Sequence, residues 1–70
     1  DCLIANGSHI SPNVSLAGGV TVGELSWLGI GSIVIQYLHI ATNCQVGAGG
    51  VVIKSLEQAG VYVGNPVRKL

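Results

Sequence analysis

Every sixth residue from position 4 is aliphatic: Ile4, Ile10, Leu16, Val22, Leu28, Val34, Ile40, Val46 and Val52. The residue after each is usually small, at Ala5, Ser11, Ala17, Gly23, Gly29, Ala41 and Gly47, with Ile35 and Ile53 as exceptions. Three residues after the aliphatic one stands Gly or Asn in Gly7, Asn13, Gly19, Gly31, Asn43 and Gly49. Both residue types tolerate a positive φ, so a turn recurs with the same period. A period of six is wrong for a helix, whose apolar positions recur near 3.6, and too long for one alternating strand. It fits a strand of a few residues followed by a corner. Three such units close a triangular coil of 18 residues. Stacked coils pair in parallel at roughly 4.8 Å, the hexapeptide form of the parallel β-helix.

The aliphatic series is then the core ladder, with Ile4, Val22 and Ile40 on one face, Ile10, Leu28 and Val46 on the second, and Leu16, Val34 and Val52 on the third. A second inward slot lies two positions earlier, at Cys2, Ser8, Val14, Val20, Ser26, Ser32, Leu38, Cys44 and Gly50, most of them small enough for a narrow prism. Cys2 and Cys44 share that slot but fall on different faces and about two coils, on the order of 10 Å, apart. A disulfide needs Cα atoms within about 7 Å, so both read as buried structural thiols. His9 and His39 also share a slot without stacking, which gives no basis for a metal site. Trp27 follows His9 by one coil and stacks above it, a ring for subunit packing rather than a ligand platform.

The pattern fails after position 54, where Gln58 falls on the next aliphatic position. We divide the chain into a hexapeptide-repeat β-helix, 1–54, and a closing segment, 55–70. The stretch Val61-Tyr62-Val63-Gly64-Asn65-Pro66, followed by Arg68 and Lys69, predicts an extended strand running into a turn and capping the last coil. Its cations are also placed to meet an anionic ligand.

Composition narrows the picture further. Charged residues are 9% of the chain, hydrophobic ones 49%, and the formal net charge is zero, which removes a basic footprint for nucleic acid. No run approaches the roughly 18 apolar residues of a membrane helix, so no membrane association is expected, and a cytoplasmic location is. Seventy residues seldom bury enough apolar surface to stand alone, so an oligomer or further sequence is expected.

The runs "GELSWLGIGSIVIQ", "QVGAGGVVIKSL" and "VYVGNPVRKL" resemble the hexapeptide-repeat acyltransferases. The resemblance implies an all-β, left-handed parallel β-helix of about three triangular coils, a homotrimer, and acetyl-CoA as donor substrate. More narrowly, "DCLIANGSHISPNVSLAGGVTVGE" is similar to the branch containing the NeuD-type sialic acid O-acetyltransferases and the PglD-type amino-sugar N-acetyltransferases. In that branch a histidine followed by an acid and a cysteine is the catalytic base with its partner. The match aligns the acid with Asp1 and the cysteine with Cys2, and places the base one residue before Asp1. The same alignment implies that His9, Ile30 and Ala48 bind acetyl-CoA and that the Gly18 backbone N–H stabilises the oxyanion. It also implies a separate N-terminal acceptor-binding subdomain, absent from this sequence.

Coil spacing bears on these assignments. Ile30 and Ala48 are one coil apart, so a pantetheine arm parallel to the axis meets both. The position before Asp1 lies one coil below Gly18, whereas His9 is on another part of the triangle. A neighbouring subunit can bring His9 to that corner. The implied activity is acetyl transfer from acetyl-CoA to an amine or hydroxyl of a sugar or nucleotide-sugar, with a histidine general base at a trimer interface. The alternative is a non-catalytic β-helical scaffold or trimerisation module of a larger enzyme. The family pattern is broken at "QYLHI", where Tyr37 occupies a position that many members give to Gly, and at Ala5-Asn6.

Overall fold

The computed structural model describes residues 2–70. Eleven short strands follow in order: β1 (Leu3–Ile4), β2 (His9–Ile10), β3 (Ser15–Leu16), β4 (Thr21–Val22), β5 (Trp27–Leu28), β6 (Ile33–Val34), β7 (His39–Ile40), β8 (Cys44–Val46), β9 (Val51–Val52), β10 (Gly60–Gly64) and β11 (Val67–Lys69). They form three sheets, ordered β1-β4-β7, β11-β10-β8-β5-β2 and β3-β6-β9, here called the first, second and third. Each rung pairs in parallel with the residue 18 positions on: Ile4 with Val22, Ile10 with Leu28, Leu16 with Val34, and so upward. The chain is therefore a parallel β-solenoid of about three turns, with the three predicted ladders on its three sheets.

Burial follows the ladder. Val22, Leu28, Val34, Ile40, Val46 and Val52 are buried, and Val20 and Cys44 from the second inward slot join them. Among the described residues the first coil has a neighbour on one side only, and there Ile4 is exposed while Ile10 and Leu16 are half-buried. The serines of the second slot reach backbone acceptors inside the prism. Ser8 Oγ donates to the Gly23 carbonyl at 2.7 Å, Ser26 Oγ to Ala41 at 2.6 Å and Ser32 Oγ to Gly29 at 2.8 Å. A small hydroxyl thus fills the narrow interior without leaving a buried donor unpaired. Cys2 Sγ donates to the Ala17 carbonyl in the same way, and both cysteines are free thiols.

The corners are uniform in conformation but not in sequence. Gly7, Asn13, Gly19, Gly31, Asn43 and Gly49 have positive φ, and so do Leu25 (58°) and Tyr37 (63°). The repeat thus imposes the left-handed conformation even on two large side chains that resist it.

The closing segment adds rungs as well as a cap. Leu56 bridges to Ile40, and Tyr62 of β10 pairs in parallel with Val46, each sixteen residues on from its partner instead of eighteen. The last coil is two residues shorter, so the buried side chains Leu56 and Tyr62 continue the ladders and Gln58 falls outside the slot its number predicts. The chain then turns through Asn65-Pro66, and β11 returns antiparallel to β10. This hairpin covers the edge of the second sheet.

Candidate functional site

The outward residues of the second sheet form a column, His9, Trp27, Gln45 and Val61, each in register with the next. Beside it runs a second column of smaller groups, Ser11, Gly29 and Gly47. Beyond that lies the corner leading to the third sheet, with Ile30 and Ala48. The small column leaves an open groove of about 380 Å³ bounded by Trp27 and Val61 on one side and Ile30 and Ala48 on the other. Its walls are mostly apolar, and it runs along the stacking direction. Gly29 forms the floor: a Cβ there would lie 2.7 Å from the Val46 carbonyl oxygen and 2.8 Å from the Ala48 nitrogen.

Backbone donors border this groove. The carbonyls of the corner residues are used between coils: Ile30 accepts from the Gly49 N–H at 2.8 Å, and Gly18 accepts from the Tyr37 N–H at 3.0 Å. By contrast, the N–H groups of Gly18, Ile30 and Ala48 donate to no other backbone group among the described residues. All three are exposed and occupy one slot of the hexad, the second residue after the aliphatic position. At these three corners the slot presents an unused N–H, whereas Pro12, which shares the slot, has none. Such a donor can meet a ligand carbonyl or a developing oxyanion without a side chain.

His9 is exposed at the lower end of the column. Its imidazole meets the Trp27 indole edge to face, with centroids 5.2 Å apart and planes at 70°. Trp27 Nε1 donates to Ser11 Oγ at 3.1 Å. The stacking of Trp27 above His9 follows from the 18-residue register, but the Ser11 tether and the part Trp27 takes in the groove wall do not. Gln45 was legible by the same spacing. Val61 was not, because the shortened coil displaces it from the hexad count.

The structure brings Ile30, Ala48 and the His9-Trp27 pair to one side of the molecule. Gly18 stands elsewhere, at the corner between β3 and β4, and nothing lies within 4 Å of the position a Cβ would take there. Asp1 lies outside the described residues. His39 is on the first sheet, where its Nδ1 and Thr21 Oγ1 are 2.7 Å apart, a pair also predictable from their spacing of one coil. Among the described residues no three His, Cys, Asp or Glu side chains gather as a metal cluster. Burial pushes the Cys44 thiol up, offset in part by a backbone hydrogen bond from Ala41 and by Lys69.

Comparison with known proteins bears on the whole chain. No family model matches it. It is 36% identical over 66 residues to an acyl-(acyl-carrier-protein)–UDP-N-acetylglucosamine O-acyltransferase of Sinorhizobium fredii, covering 94% of this chain and 24% of the relative. It superposes with a TM-score of 0.97 and 40% identity on a perosamine N-acetyltransferase from Caulobacter crescentus, solved as a variant in complex with CoA and GDP-perosamine. That match covers 100% of this chain and 33% of the other. The chain belongs to the hexapeptide-repeat acyltransferases. A second member, the acetyltransferase domain of PglB from Neisseria gonorrhoeae in complex with acetyl coenzyme A, matches with a TM-score of 0.97 at 33% identity, over 100% of this chain and 34% of the other. Relative to these hexapeptide-repeat proteins the chain spans about a quarter of the curated relative and about a third of each solved one.

Proposed function

We propose that this chain is the donor-binding β-helix of an acetyl-CoA-dependent acyltransferase acting on an amine or hydroxyl of a sugar or nucleotide-sugar. The observation that carries the reading is the groove on the second sheet. It is narrow, mostly apolar and parallel to the stacking direction, and along one rim it carries the unused N–H groups of Ile30 and Ala48 one coil apart. Those are the features an extended pantetheine arm needs: apolar walls for its methylenes and donors at intervals for its amide carbonyls. Two relatives have been solved in complex with CoA or acetyl-CoA, which supports the choice of ligand.

In this proposal His9 lies at the end of the groove where the thioester emerges and donates a hydrogen bond to the acyl carbonyl. The acceptor nitrogen or oxygen attacks that carbonyl, and its proton passes to a histidine base preceding Asp1. As the carbon–sulfur bond breaks, the imidazolium gives that proton to the departing sulfur, releasing CoA as the thiol and restoring the base. Asp1 orients the base and stabilises its cationic form, and the Gly18 N–H meets the oxyanion. Gly18 and His9 stand on different parts of one triangle. The complete site therefore forms between subunits, Gly18 from one and His9 from its neighbour, in a homotrimer.

The test is transfer by the whole protein, followed as free thiol released from acetyl-CoA in the presence of an amino- or hydroxy-sugar acceptor such as GDP-perosamine. Thiol release that requires both substrates, and that falls at least tenfold in His9→Ala with the oligomer intact, supports the reading. Unchanged kinetics in His9→Ala removes His9 from the site.

A further inference from the structure

The two histidines of the chain are held in different ways. His39 Nδ1 is tied to Thr21 Oγ1, whereas the His9 imidazole makes no hydrogen bond among the described residues and has the Trp27 indole as its ring neighbour. Trp27 in turn is not loose. Half of its surface is open, yet its Nε1–H is fixed on the hydroxyl of Ser11, and Ser11 is buried at 8% exposure. The indole is therefore anchored at one point and spans from the groove wall to the imidazole. Its contact with His9 is the edge-to-face arrangement that aromatic pairs favour.

We propose that Trp27 is a positioning residue for His9. Anchored on Ser11, the indole sets the plane of the imidazole at the end of the groove and leaves both ring nitrogens available to a bound group. The chemical class that benefits is a thioester carbonyl, which accepts one directional hydrogen bond. Trp27 thereby favours the acylated donor over the free thiol form. This inference rests on the groove being the donor site. It adds that discrimination between acetyl-CoA and CoA depends on an aromatic ring one coil above the histidine.

The experiment is titration calorimetry of the whole protein with acetyl-CoA and, separately, with CoA. Wild type is expected to bind acetyl-CoA more tightly than CoA. Trp27→Leu removes part of the groove wall and so weakens both ligands, and beyond that shared loss it is expected to narrow the ratio by about three- to tenfold, the loss of one aromatic pair. Trp27→Phe, which keeps a ring edge but loses the Ser11 anchor, restores the ratio only in part. In His9→Gln the ratio is already low, and adding Trp27→Leu lowers it no further. An unchanged ratio in Trp27→Leu, an equal loss for both ligands, or a wild type that does not discriminate overturns the proposal. A wild type that binds neither ligand overturns the donor-site reading itself and this inference with it. Trp27 is the sole tryptophan of these 70 residues, so with any tryptophan elsewhere in the protein replaced by phenylalanine, intrinsic fluorescence gives a readout that leaves Trp27 in place. Acetyl-CoA should perturb its emission more than CoA does, and His9→Gln should abolish the difference. Identical responses to the two ligands in wild type contradict the proposal.

Discussion

At the residue scale, the corners show what the repeat demands of single side chains. Tyr37 holds φ 63° and is 81% exposed, so little packing offsets the roughly 1–2 kcal/mol that a left-handed conformation costs an L-residue. Asn tolerates that conformation, and Tyr37→Asn should raise stability by about 1 kcal/mol, seen as a higher urea midpoint. One coil below, Gly19 holds φ 78°, and a Cβ there would lie 2.5 Å from the Tyr37 ring. Gly19→Ala should therefore cost about 1–2 kcal/mol, and less in the Tyr37→Asn background. Cys44 makes a further prediction. Burial raises its thiol pKa in the folded state, so the unfolded chain ionises first. The associated stability is complete below the unfolded thiol range and is lost as pH rises through the folded value. Urea midpoints measured at pH 8 and pH 10 should fall further in wild type than in Cys44→Ala.

At the element scale, much of the fold was legible because one period governs it. Nine aliphatic positions at intervals of six specify which residues face inward and which strands stack, and the register of Ile4 with Val22 or Leu28 with Val46 follows directly. The closing segment was less legible for a physical reason. A coil can shed two residues at its corners and still stack, so Leu56 and Tyr62 take ladder positions that a fixed count assigns to other residues. The candidate site divides along the same line. The pairing of His9 with Trp27 and the alignment of Ile30 with Ala48 were readable from spacing. The hydrogen bond to Ser11 was not, because a side-chain rotamer decides it. The paired hairpin of β10 and β11 also has a consequence. Deleting 59–70 would uncover the edge of β8, and the shortened protein should aggregate, as measured by light scattering, because an unpaired strand edge templates pairing with other chains. Within the ladder, Leu28 is fully buried, and Leu28→Ala should cost about 2–5 kcal/mol in denaturant unfolding.

At the scale of the whole molecule, the three outer faces differ. The third sheet presents Ile33, Ile35 and Ile53 outward, each 40–45% exposed, beside Val51. The first sheet presents Leu3, Thr21 and His39 outward, and the second presents the His9, Trp27, Gln45 and Val61 column beside the groove. An exposed aliphatic face of this kind marks a contact surface, and in the proposed homotrimer it faces a neighbour. Ile35→Lys should shift the protein toward monomer by light scattering coupled to size exclusion, and should lower acetyl transfer with it if Gly18 and His9 come from different subunits. The central claim is that the groove on the second sheet binds CoA, and titration calorimetry of CoA into wild type and Gly47→Leu tests it most directly. Gly47 lies in the groove, and the nearest atom a Cβ would meet there is the end of the Val63 side chain, so the larger residue blocks the channel without entering the backbone ladder. The account predicts one CoA bound per chain in wild type and none in Gly47→Leu with the oligomer intact. No binding by wild type, or equal binding by both proteins, would contradict it.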